Sequence, residues 1–127
     1  MRVKVLSCLA ALGLIVPADA LGENGQLNGD SLRAAVAGKT VYLATPVGAL
    51  PINYRPNGTM HGRSGTLAVY VGAESDRGTW WIARDRLCQR WDTWLDGKAY
   101  CYAMRRDGDV VHWSRSDGRT GTATIAR

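Results

Sequence analysis

The sequence predicts an all-β protein: a small antiparallel up-and-down barrel or meander of eight or nine short strands, with a short N-terminal helix. Three observations carry that expectation. Short β-forming runs recur from Lys39 to Ile125, punctuated by Asn57-Gly58, Asp107-Gly108 and Asp117-Gly118, the dipeptides that fit hairpin turns. No long helical pattern separates those runs, which argues against a parallel sheet. Residues 78–108 concentrate four of the five tryptophans and two of the three cysteines, and read as three consecutive antiparallel strands.

The first 20 residues read as a removable export signal. Arg2 and Lys4 precede a 12-residue apolar run, Val5 to Val16, and Ala18-Asp19-Ala20 supplies a small-residue cleavage pattern. The run is shorter than the ~20 residues a membrane-spanning helix needs. A lipidation box at Val5-Leu6-Ser7-Cys8 is set aside, because it precedes the apolar run instead of ending it. Cleavage after Ala20 leaves 107 residues and lowers the formal charge from +5 to +4, since Arg2, Lys4 and Asp19 leave together. Two cysteines then remain, an even number that fits one disulfide in an oxidising compartment, periplasmic or secreted.

Residues 21–29 contain two Asn-Gly pairs and are expected to form a flexible lead-in, with residues 30–127 as a single barrel-like domain. A short helix follows, capped by Asp30 or Ser31, with Leu32, Ala35 and Val36 on one face and Gly38 as its left-handed stop. Strands are expected at 40–44, 51–55, 59–63, 66–71, 79–84, 87–91, 98–104, 110–115 and 120–125. In the fourth of these, Leu67, Val69 and Val71 alternate on one face. Asn57-Gly58-Thr59 also matches a glycosylation acceptor, but the hairpin turn is the preferred reading.

Pairing Cys88 opposite Cys101 fixes the register of one hairpin and sorts its faces. Arg86, Arg90, Ala99 and Ala103 then share the disulfide side, while Leu87, Gln89, Trp91, Lys98, Tyr100, Tyr102 and Met104 form the core side. The bridge is expected to face outward among the arginines. Trp94 and Leu95 fall in the loop and are expected to be exposed there. The interior is expected to be packed solid by Trp80, Ile82, Leu87, Trp91, Tyr100 and Tyr102, with no large ligand chamber.

The strings G-T-W-W-I, L-C-Q-R-W, G-K-A-Y-C-Y and D-G-D, flanked by L-R-A-A-V-A-G-K-T and D-G-R-T-G-T-A, resemble a group of small exported alphaproteobacterial proteins and domains of unknown function. The resemblance spans nearly the whole mature chain. It implies export and a shared β fold, and it brings no activity with it.

The residues point away from catalysis. His61 and His112 with two cysteines make a nominal zinc set, but the cysteines lack ligand spacing and no metal or other cofactor is expected. Ser64 and Ser114 lie near the histidines in sequence without a G-x-S-x-G elbow. Carboxylate pairs such as Asp85 with Asp92, or Asp107 with Asp109, sit at turns or beside arginines, where solvated surface explains them. The charges alternate in sign, so no nucleic-acid stripe is expected. The leading expectation is an exported, non-enzymatic binding or envelope-associated protein. Its partner would be a cell-envelope glycan, a lipid headgroup or a protein, docked on Trp94 and Leu95 beside Arg86 and Arg90. A periplasmic hydrolase inhibitor and a cell-wall hydrolase are the alternatives.

Overall fold

The computed structural model describes residues 25–65 and 68–126. The expected signal segment, residues 1–20, and the start of the expected lead-in lie outside these. Helix α1 spans Gly29–Val36 and is followed by β1 (Lys39–Thr45), β2 (Gly48–Tyr54) and β3 (Thr59–Arg63). A four-residue helix, α2 (Ala68–Val71), precedes β4 (Ser75–Ala83) and β5 (Arg86–Trp91). The chain ends in β6 (Ala99–Asp107), β7 (Val110–Arg115) and β8 (Thr120–Ile125).

Each strand pairs antiparallel with the next, and β8 returns to β1, so the sheet is a closed eight-stranded barrel. Closure rests on Val41–Ile125, Tyr42–Thr124 and Leu43–Ala123, extended by Ala126 N–H donating to Thr40 O at 2.9 Å.

One set of alternate residues faces inward all the way round. Across successive ladders Val41 meets Ile52, Tyr54 meets Met60, Trp80 meets Gln89 and Leu87 meets Tyr102. Met104 then meets Trp113, and Val111 meets Ala123. Tyr42, Asn53, Arg77, Thr79, Arg86 and Arg90 occupy the other face and are exposed. This apolar-in, polar-out wall is the inverse of a lipid-facing barrel. Among the described residues no helix is long and apolar enough to cross a membrane.

Helix α1 seals one end. Leu32, Ala35 and Val36 are buried, as their spacing predicts, and join the same core as Trp80, Leu87 and Met104. Its cap is Asn28, not Asp30 or Ser31. The Asn28 side chain accepts the Ser31 N–H at 3.0 Å, while Ser31 Oγ accepts the Asn28 N–H at 2.9 Å, a reciprocal capping box. Asp85 in the β4–β5 turn accepts the Gly29 N–H at 2.7 Å, and the Arg33 guanidinium lies 5.0 Å from the Trp80 ring centre. Those contacts tie the helix to the barrel rim.

Two expectations about irregular segments are corrected. The described part of the lead-in is docked. Gln26 bridges Arg105, the Leu27 N–H donates to Met104 O at 2.9 Å, and the Leu27 side chain is buried. It lies beside the part of β6 that runs beyond β5, where a free edge needs a partner. The expected strand at 66–71 is absent: its described part, Ala68–Val71, is helical and Val69 is 80% exposed. β3 pairs directly with β4, so no ladder is left for that run to join, and four apolar residues carry no decisive period.

The Cys88–Cys101 disulfide forms in the expected register, with Arg90 opposite Ala99. Its expected exposure is corrected. Cys88 lies on the outer face by alternation yet exposes none of its surface, flanked across the two ladders by Trp81 and Cys101. Thiol labelling of the denatured, unreduced chain lacking residues 1–20 is expected to find no free sulfhydryl. Replacing both cysteines by alanine should lower the unfolding free energy by about 3 kcal/mol, as a short closed loop implies. Two labelled thiols per chain, or an unchanged denaturation midpoint, would contradict the bridge or its weight.

Candidate functional site: a chamber in the barrel

The connections at the end opposite α1 are the β1–β2 turn, the segment from Ser64 to Glu74, the loop from Asp92 to Lys98, and the β7–β8 turn. Inside this end the barrel is hollow. A chamber of about 420 Å³ runs from the mouth residues Thr93, Leu95, Asp96 and Arg115 down to Tyr54 and Gln89. Its walls are mainly apolar, with Val41, Leu50, Ile52, Met104 and Ala123 prominent. The expectation of a solid interior is therefore corrected.

The physical reason is that the large side chains lie against the wall over glycines instead of crossing the lumen. A Cβ on Gly62 would sit 2.6 Å from the Trp94 ring and 2.8 Å from the Trp91 ring. A Cβ on Gly121 would overlap the Trp113 ring. Each glycine removes one inward side chain and gives its space to an indole from elsewhere. A small barrel uses such alternation of large and small residues to shape its interior.

Trp94 is the chief correction to the expected surface site. It is 4% exposed, with its ring 4.7 Å from that of Trp91. The loop folds over the mouth because Asp76, an inward residue at the start of β4, anchors it. Asp76 Oδ2 accepts the backbone N–H groups of Thr93 and Trp94, each at 2.8 Å. The loop then turns through the left-handed region at Leu95 (φ 56°) and Asp96 (φ 58°) before Gly97. Leu95 is 43% exposed at the rim, as its loop position predicts. Arg86 and Arg90 are on the outer wall, apart from the chamber, so the four residues expected to form one surface site are divided between inside and outside.

Polar groups inside are few and specific. The Tyr54 hydroxyl donates to Gln89 Oε1 at 2.7 Å. Burial, helped by nearby Tyr102, pushes the Tyr54 phenol well above its ordinary range, so it stays protonated and donates. At the mouth Arg115 makes a bidentate pair with Asp117, at 2.8 Å from Nε and 2.7 Å from a terminal nitrogen, and lies 4.1 Å from the Tyr100 ring centre. That guanidinium holds the Asp117 carboxyl at about 2. The indole N–H of Trp80 donates to Arg55 O at 2.9 Å. Those of Trp94 and Trp113, which both line the chamber, are buried with no hydrogen-bond partner among the described residues.

His61 and His112 face outward from β3 and β7, Ser64 Oγ donates to Ala73 O, and no metal-ligating cluster occurs among the described residues. Comparison with family models, with curated proteins and with solved structures finds no match for this chain.

The Thr93–Trp94 anchor should respond to acid with a definite sign. Burial raises the Asp76 carboxyl, but hydrogen bonds from the N–H groups of Trp94, Thr93 and Arg77 outweigh it and hold the group below the ordinary carboxylate range. A folded value below the unfolded one stabilises fully above about pH 4, and that contribution is lost as pH falls through the folded value. Asp76→Asn is therefore expected to cost about 1–2 kcal/mol at pH 7. The gap from wild type should narrow below about pH 4. A gap that does not change with pH in urea denaturation would contradict the anchor.

Proposed function

We propose that this protein is an exported, non-enzymatic binder of a compact apolar small molecule, held inside the barrel. The observation that carries the reading is the chamber, open at one end and sealed by α1 at the other. Small-molecule sites are concave, mostly apolar, and carry a few placed polar groups, with volumes of roughly 300–1,000 Å³. The 420 Å³ found here falls within that range. A cavity of roughly 150 Å³ holds one benzene. By that scale the chamber accommodates about 17 non-hydrogen atoms. Export is supported by the signal-like N-terminus and by the disulfide, which suits an oxidising compartment.

Three tryptophans line the chamber, so occupancy has an intrinsic reporter. An environment-sensitive apolar dye is expected to bind saturably at one site per chain and to change tryptophan emission as it does so. Ala123→Phe places a ring in the lumen without altering the exterior and should weaken that binding at least tenfold. Binding that is absent, or unaffected in a folded Ala123→Phe variant, would contradict the reading.

A further inference from the structure

We infer that the outer wall of β3, β4 and β5 is a docking face for an anionic lipid bilayer surface, carried by Arg63, Arg77, Arg86 and Arg90 around an exposed Trp81. This face is separate from the chamber and does not depend on the chamber being occupied. By strand alternation the four arginines and Trp81 lie on the outer face, and all are exposed, Trp81 by 38%. The registers string them together. Arg63 pairs with Ser75, two residues from Arg77, and Thr79, two residues beyond Arg77, pairs with Arg90. Trp81 pairs with Cys88, midway between Arg86 and Arg90. Each is therefore the diagonal neighbour of the next, roughly 7–8 Å away. The result is an oblique ribbon from the mouth end, at Arg63, to the α1 end, at Arg86, with one indole between two of its cations.

Folding separates the signs that alternate along the sequence. Asp76 precedes Arg77 but is buried, where its carboxylate accepts the Thr93 and Trp94 N–H groups. Asp85 precedes Arg86 but accepts the Gly29 N–H at the start of α1. The outward positions of β3, β4 and β5 hold no carboxylate. Exposed Asp92 follows β5 and exposed Glu74 precedes β4, yet neither forms an ion pair with the ribbon; among the described residues Arg115–Asp117 is the only such pair. Nor has any of the four guanidiniums a hydrogen-bond partner among the described residues. Like charges held side by side repel one another, and an anionic surface relieves that repulsion. Guanidinium forks match phosphate oxygens, and tryptophan settles at the headgroup level. The outside of a closed barrel is convex, and this face has one exposed indole. It lacks the groove and the row of rings that a single-stranded nucleic acid uses. A fluid bilayer conforms to such a wall. Docking is peripheral, with the barrel on its side and its strands along the surface.

The test is co-sedimentation of the chain lacking residues 1–20 with vesicles of phosphatidylcholine, either pure or with about 30% phosphatidylglycerol. At ~20 mM salt, binding to the anionic vesicles should exceed binding to the neutral ones at least tenfold, and it should weaken at ~150 mM. A basic side chain near an anionic surface is worth roughly a fivefold change in partitioning. Arg77→Gln with Arg90→Gln should therefore lower binding by about tenfold or more and flatten its salt dependence. Lys39→Gln with Arg119→Gln removes the same charge outside the ribbon and should stay within about threefold of the wild type. Trp81→Ala should weaken binding without changing its salt dependence. Denaturation midpoints confirm that each variant is folded. Equal binding to both vesicle types, no binding to either, equal losses in the two double variants, or wild-type binding by Trp81→Ala would overturn the face. Tighter binding to an oligothymidylate than to anionic vesicles at the same salt would reassign the ribbon to a linear polyanion and overturn the bilayer as its partner. Saturable dye binding in the chamber stands or falls separately from every one of these results.

Discussion

Three residue pairs between β1 and β8, Val41 with Ile125, Tyr42 with Thr124 and Leu43 with Ala123, turn a meander into a closed barrel. Closure removes the two sheet edges that would otherwise need protection. It also commits alternate residues of every strand to a common interior whose width is set by the number of strands. Eight strands give a lumen that side chains can fill, or that can hold one small ligand. Which outcome prevails depends on the size and direction of the inward side chains. In this chain Gly62 and Gly121 let indoles lie flat on the wall, and the space they do not cross becomes the chamber.

The two ends are built on different physics. One is sealed by an amphipathic helix that could not persist alone at this length and gains its stability from docking Leu32 and Val36 into the core. The other is covered by a single loop, held by two hydrogen bonds to Asp76 and forced through left-handed backbone at Leu95 and Asp96. Such backbone costs L-residues roughly 1–2 kcal/mol each. The mouth beneath that loop also carries Arg115 and the exposed Leu95. Polarity follows from this asymmetry: apolar walls over the mutually satisfied Tyr54–Gln89 pair far from solvent, and charge at the mouth.

Much of the fold was legible in the residues. The ranges 59–63, 110–115 and 120–125 match β3, β7 and β8, because β-formers there are bounded by unambiguous turn residues. The Cys88–Cys101 register and the core face of its hairpin also follow from alternation. The site was harder to read. Loop position suggested that Trp94 was exposed, since the anchor that folds it inward, Asp76, lies 18 residues earlier and is recognisable only once β4 is placed beside the loop. The chamber is not legible in the sequence because a set of large apolar residues gives volume but not direction. The signal for it is the inward alternation of Gly62, Gly78 and Gly121 with Trp80, Trp91, Trp113, Tyr54 and Tyr102. The helix cap is Asn28 and not Asp30 or Ser31, because the reciprocal Asn28–Ser31 pair closes the first turn one step earlier.

The central claim is that the inside of the barrel, not its outer wall, holds the small molecule. Intermolecular nuclear Overhauser effects between a small apolar probe, decanol, and the methyl groups of the protein test it most directly. The account predicts cross-peaks from the alkyl chain to Val41, Ile52 and Ala123, which line the chamber, and none to Val110 or Val69, which are exposed outside it. Cross-peaks confined to Val110, Val69 or the outward Trp81 would place the ligand on the exterior and contradict the account.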